Sequence, residues 1–130
     1  MTVPFLDSDA LKNLALAVPA VTSCACGLGP CQGWESVSDS RWPKALMTQV
    51  ATLRDPGTAH GEELTFEEFH PQGTRYESEV APVAPAFFPY NRCDVFSCQQ
   101  CQRLLLKYTE YGGYYVDPRV RALAAQLITP

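Results

Sequence analysis

The sequence predicts an α+β fold: a small antiparallel sheet with one helix near each end of the chain, in a loop-rich frame. Three observations carry this expectation. Apolar residues recur at helical spacing at 11, 14, 15 and 18 and again at 120, 123, 124 and 127. Between these stretches, alternating residues and a Gly-Gly turn mark strands. Eleven prolines and eight glycines leave room for few long regular elements. At 130 residues and 46% apolar content, the chain is sized for one domain, residues 1–130, with one ordinary core.

Taken in order, Asp7-Ser8-Asp9 supplies a capping residue and negative charge to the first helix, and Pro19 stops it. Residues 19–43 read as irregular. In 44–53, Leu46, Val50 and Leu53 fit a helical stripe, but the Thr and Val content favours a strand. Asp55-Pro56-Gly57 marks a turn. Residues 64–70 are predicted as a strand that ends in the turn His70-Pro-Gln-Gly73. In 74–80, Thr74, Tyr76, Ser78 and Val80 alternate with Arg75, Glu77 and Glu79, the pattern of a strand with one solvated side. Phe87, Phe88 and Tyr90, set among prolines, are expected core anchors. Residues 103–108 and 114–116 flank Glu110-Tyr-Gly-Gly113, which predicts a tight hairpin. Asp117-Pro118 then reads as an N-cap with proline at the first position of the closing helix.

Residues 10–21 are apolar, but Asp7 and Asp9 precede them and Lys12 interrupts them, where a secretory leader needs a positive start. No run approaches the roughly 18 apolar residues of a membrane span. The expectation is a cytoplasmic protein that makes no membrane contact. Persistent disulfides are uncommon in that compartment, so clustered cysteines are better read as ligands.

The six cysteines fall into two groups, Cys24, Cys26 and Cys31 followed much later by Cys93, Cys98 and Cys101. Free cysteine also packs as a small hydrophobe, yet six in two tight groups argue for a metal. Zinc takes four tetrahedral ligands, so neither group closes a site with thiolates alone. One solution is a single structural zinc on Cys98, Cys101 and two of the N-terminal three, which leaves two thiols spare. Another is two sites completed by His60, His70, Asp94 or a shared sulfur. The spacing Cys93-x4-Cys98-x2-Cys101 also matches a plant-type ferredoxin cluster. A redox role for Cys98-x2-Cys101 lacks the strand-then-helix context that lowers a thiol pKa.

Cys98-Gln-Gln-Cys101, followed by Arg103 and a strand, resembles the knuckle of zinc-ribbon domains over residues 98–116. The resemblance implies two thiolates projecting from a tight turn that opens a hairpin. A standard ribbon draws its other ligands from a second C-x2-C knuckle, whereas here the other group is C-x-C-x4-C.

The sequence has no H-E-x-x-H, phosphate-binding glycine loop or G-x-S-x-G element, and His60 and His70 each sit beside turn residues. The expected function is therefore a noncatalytic, zinc-stabilised protein-binding or adaptor protein, of which an inhibitor- or immunity-type protein is one form. The alternative is nucleic-acid binding. A net charge of −4 opposes it, but 92–121 carries Arg92, Arg103, Lys107, Arg119 and Arg121 against three acidic residues, interleaved with Tyr108, Tyr111, Tyr114 and Tyr115. A metal-dependent enzyme or iron-sulfur protein ranks below both. The acidic run Glu62-Glu63-Leu-Thr-Phe-Glu67-Glu68 reads as a solvated face.

Overall fold

The computed structural model describes residues 3–18, 26, 28–54, 65–111 and 114–129. Its frame is a five-stranded antiparallel sheet made of β1 (Glu35–Ser36), β2 (Met47–Thr52), β3 (Asp94–Cys98), β4 (Leu104–Tyr111) and β5 (Val116–Ala122). The strands lie in the order β1-β5-β4-β3-β2. From β2 to β5 the chain is thus a simple meander, and the two-residue β1 covers the outer edge of β5. One α-helix, α1 (Ser8–Leu16), begins as expected: the Asp7 carboxylate accepts from the Ala10 amide at 2.9 Å. Such a cap contributes about 1 kcal/mol.

Both faces of the sheet are covered. Leu104, Leu105 and Leu106 are consecutive buried residues at its centre, where alternation along β4 sends neighbours to opposite faces. One face packs Leu104, Leu106, Tyr108 and Val95 against Leu11 and Ala15 of α1, Val83, Tyr90, Cys93 and Ile128. The other packs Leu105 and Val120 against Cys26, Leu28, Cys31, Val37, Met47 and Cys98, with Trp42, Phe96 and Cys101 at the margin. A bulge in β2 between Gln49 and Ala51 lets Met47 serve the second face and Ala51 the first within one short strand.

The predicted closing helix does not form. Asp117-Pro118 lies inside β5, which pairs with β4 from Leu105↔Ala122 to Tyr111↔Val116, and only a 3-10 turn, Ala125–Leu127, follows. The Pro118 carbonyl accepts from the Val37 amide, so its missing N–H also faces the short β1 side rather than β4. A proline there costs the sheet no β4 bond. The predicted hairpin is present, although its Gly112-Gly113 turn lies outside the described residues.

The strands expected over 64–70 and 74–80 are also absent. Residues 65–70 join no ladder, and 76–80 form successive turns closed by Ser78 N–H to Arg75 O and Ala81 N–H to Ser78 O. The alternation has another cause. Thr74, Tyr76 and Ser78 are half-buried while Arg75, Glu77 and Glu79 are exposed, so the chain rests one side on the protein without pairing. Tyr76 anchors it by stacking on Trp34, which also contacts the rings of Tyr90 and Tyr108.

Candidate metal centre

β3 ends at Cys98 and β4 begins at Leu104, so the C-x2-C pair occupies a hairpin turn. The turn is closed by Gln102 N–H to Cys98 O at 2.7 Å and Cys98 N–H to Arg103 O at 3.0 Å. Gln102 adopts the left-handed conformation, φ +65°, that returns the chain into β4. Gln99 ties the turn to β2 through its amide to Leu46 O at 2.8 Å and its side chain to Thr48 Oγ1 at 2.9 Å. Cys98 is fully buried, while Cys101 is partly exposed.

The N-terminal cysteine loop lies under the same face. Cys31 takes φ +49°, and its carbonyl accepts from Ala122 N–H at 2.7 Å, which fastens the loop to the edge of β5. Two residues on, Gly33 passes so close to Glu77 that a Cβ would sit 2.7 Å from its carbonyl oxygen. Only glycine fits that approach.

Cys26, Cys31 and Cys98 thus belong to one buried cluster, with Cys101 packed against it. These two cysteine groups are separated by some seventy residues of sequence and by the whole of β2 and β3. None of the five described cysteines is in a disulfide. Cys24 and His60 lie outside the described residues. Among the described residues, no three His, Cys, Asp or Glu side chains converge tightly enough to enclose a metal.

Arg103 joins the two groups. It is 3% exposed and lies on the cysteine face, donating to Gly29 O at 3.0 Å, Leu28 O at 3.4 Å and Cys26 Sγ at 3.6 Å. Charge statistics place arginine at the surface by default, so composition gave no warning of this. The available signal was parity, since Arg103 directly precedes β4 and stands two residues before Leu105, which is core.

Three residues considered as ligands are committed elsewhere. Cys93 packs on the opposite face of the sheet, where its Sγ donates to Pro89 O at 3.3 Å. An odd spacing of five along extended chain separates it from Cys98, so the ferredoxin-like triplet does not gather. Burial, then Asp94, pushes its thiol well above the ordinary range. His70 uses both ring nitrogens, toward Thr74 Oγ1 at 2.7 Å and Glu68 Oε1 at 2.8 Å. Asp94 accepts from Thr52 and Arg54. Cys31 is itself pushed up to about 12, by burial first and the Glu35 carboxylate second.

The basic C-terminal segment also turns inward. Arg121 is 1% exposed and donates to the carbonyls of Gln32, Glu79 and Ala81 and to the Tyr90 hydroxyl. Arg119 bonds Asp117, Tyr76 and Tyr108. Lys107 Nζ lies 5.2 Å from the Trp42 ring centroid. At the β4/β5 tip the opposite holds: Tyr111 is 75% exposed, Tyr114 fully so, and Tyr115 and Val116 more than half. No family model, curated protein or solved structure matches this chain.

Proposed function

We propose that the protein is a noncatalytic binding module, an adaptor or inhibitor of another protein, folded around a structural zinc and meeting its partner through the β4/β5 tip. The observation that carries this reading is the division of labour along the C-terminal segment. Tyr111, Tyr114, Tyr115 and Val116 stand in solvent, whereas the cations of the same segment are buried or engaged. Tyrosine offers large contact area at little entropic cost and is enriched where proteins meet. Phosphate binding needs the reverse arrangement, with cations at the surface, and a net charge of −4 adds to that cost.

The zinc would be held by Cys98, Cys101 and two of Cys24, Cys26 and Cys31. What supports this is the shared packing of Cys26, Cys31, Cys98 and Cys101, since a metal there would pin the N-terminal loop to the knuckle turn. A site that exists only in the folded chain adds its binding energy to folding. The cytoplasmic, reducing environment we assign keeps such thiols available.

The test is capture of a partner by the full chain, compared with a Tyr114→Ser, Tyr115→Ser variant. The wild type is expected to retain a discrete protein that the variant loses while melting at the same temperature. Salt-sensitive binding to single-stranded RNA or DNA that is lost in Lys107→Glu would instead assign the segment to nucleic acid.

A further inference from the structure

We infer that Thr74 is a nucleophilic hydroxyl and a covalent modification site, which takes up a small acyl group from an activated ester or thioester. His70 is its general base and Glu68 the positioning residue. The inference stands apart from the zinc and from the β4/β5 tip. It begins in the local sequence. In His70-Pro-Gln-Gly73, proline presets the φ of the second turn residue, and the Gly73 amide closes the turn on His70 O at 3.1 Å. Gly73 itself takes φ +79°, which returns the next residue beside His70. Both ends of the turn are pinned. Before it, Phe69 stacks on Phe87 with centroids 5.1 Å apart, and Glu67 O accepts from Phe88 N–H at 2.8 Å. Beyond it, Tyr76 stacks on Trp34.

Across this turn Thr74 Oγ1 lies 2.7 Å from His70 Nδ1, and Glu68 Oε1 lies 2.8 Å from His70 Nε2. A carboxylate only accepts, so the hydrogen bonds assign the ring proton of neutral His70 to Nε2 and leave the Nδ1 lone pair to accept from the Thr74 hydroxyl. Nucleophile, base and orienting carboxylate thus stand in line, the arrangement that activates an otherwise weak hydroxyl. Thr74 and His70 are half-buried and Glu68 is exposed, so the group is held by its neighbours yet faces the surface, where a small acyl donor can approach. In the transfer, Oγ1 attacks the acyl carbon as its proton passes to Nδ1. The bond from that carbon to the leaving oxygen or sulfur breaks, and the leaving group departs with the proton from His70. The products are one ester on Thr74 and one free alcohol or thiol. The acyl group stays on the chain, so the protein is modified once and does not turn over.

The test incubates the full chain with p-nitrophenyl acetate, follows nitrophenolate release, and locates the acetyl group by peptide mass after neutral hydroxylamine has stripped thioesters from the cysteines. Acetyl is expected on Thr74, retained on the serine of Thr74→Ser and lost in Thr74→Val. His70→Gln is expected to label Thr74 about 100-fold more slowly. Glu68→Ala should slow labelling less than His70→Gln does, and Glu68→Asp, which keeps the carboxylate, should recover part of that loss, all four variants of the turn melting with the wild type. Acetyl found only on other side chains would overturn the inference, as would wild-type labelling of Thr74 in His70→Gln.

Discussion

Trp34 gathers three tyrosine rings, with centroids 5.0 to 6.0 Å from Tyr108, Tyr90 and Tyr76. Trp34→Ala is expected to cost about 3–5 kcal/mol, read as a lower midpoint in urea unfolding. The same cluster sets an alkaline limit. Burial raises the phenols of Tyr76, Tyr90 and Tyr108 above their ordinary value. Their folded pKa values exceed the unfolded ones, so this stabilisation is complete below about pH 10 and is lost as pH rises toward the folded values. Unfolding midpoints should fall above that pH, and Tyr108→Phe, which cannot ionise, should fall less steeply. A midpoint flat through the alkaline range would contradict this. Tyr90 was legible at this scale, because residue type and its proline-rich setting point to core. Arg103 and Arg121 were not. A charged residue reads as solvated until its face of the sheet is known.

Among the elements, α1 and the β4/β5 hairpin could be read from local chemistry, since a capping aspartate and paired glycines act within a few residues. β5 carries a local helix signature, because Asp117-Pro118 is a good helix start and Val120, Leu123, Ala124 and Leu127 keep helical spacing. What outweighs that preference is nonlocal: seven paired positions with β4, from Leu105↔Ala122 to Tyr111↔Val116. The placement of β5 beside the cysteine loop is tested at Ala122, whose N–H donates to Cys31 O. Ala122→Pro removes that donor and leaves the Cys31 carbonyl unpaired, an expected loss of about 1–3 kcal/mol that loosens the cysteine loop. Pro118→Ala restores a donor on the β1 side and is expected to change stability by no more than about 0.5 kcal/mol. Equal large losses in both variants would argue against this placement of β5. The hairpin tip makes its own prediction at this scale. Tyr111, Tyr114 and Tyr115 bury little, so serine at each should leave the melting temperature unchanged and lower only partner binding.

For the whole molecule, the sequence-level expectation of a small antiparallel sheet with an N-terminal helix matches the structure, while the expected strands over 64–70 and 74–80 do not. Period-two exposure shows that one side of a segment rests on the protein, but a strand also needs a neighbour with which to exchange hydrogen bonds, and pattern alone does not name one. The approach of the two cysteine groups is a consequence of the meander, which brings the β3/β4 turn and the edge of β5 to the same face. Spacing alone does not show where the two groups lie relative to the sheet. If zinc joins them, removing it with a chelator should lower the melting temperature and raise hydrogen exchange at Ala122 and Gln102, whose amides hold the loop and the knuckle. The measurement that tests this account most directly is metal content and thiol count on protein purified without added metal or a polyhistidine tag. The account predicts one colourless zinc per chain and destabilisation on its removal. A metal-free chain with all six cysteines titratable and an unchanged melt on chelation would contradict it.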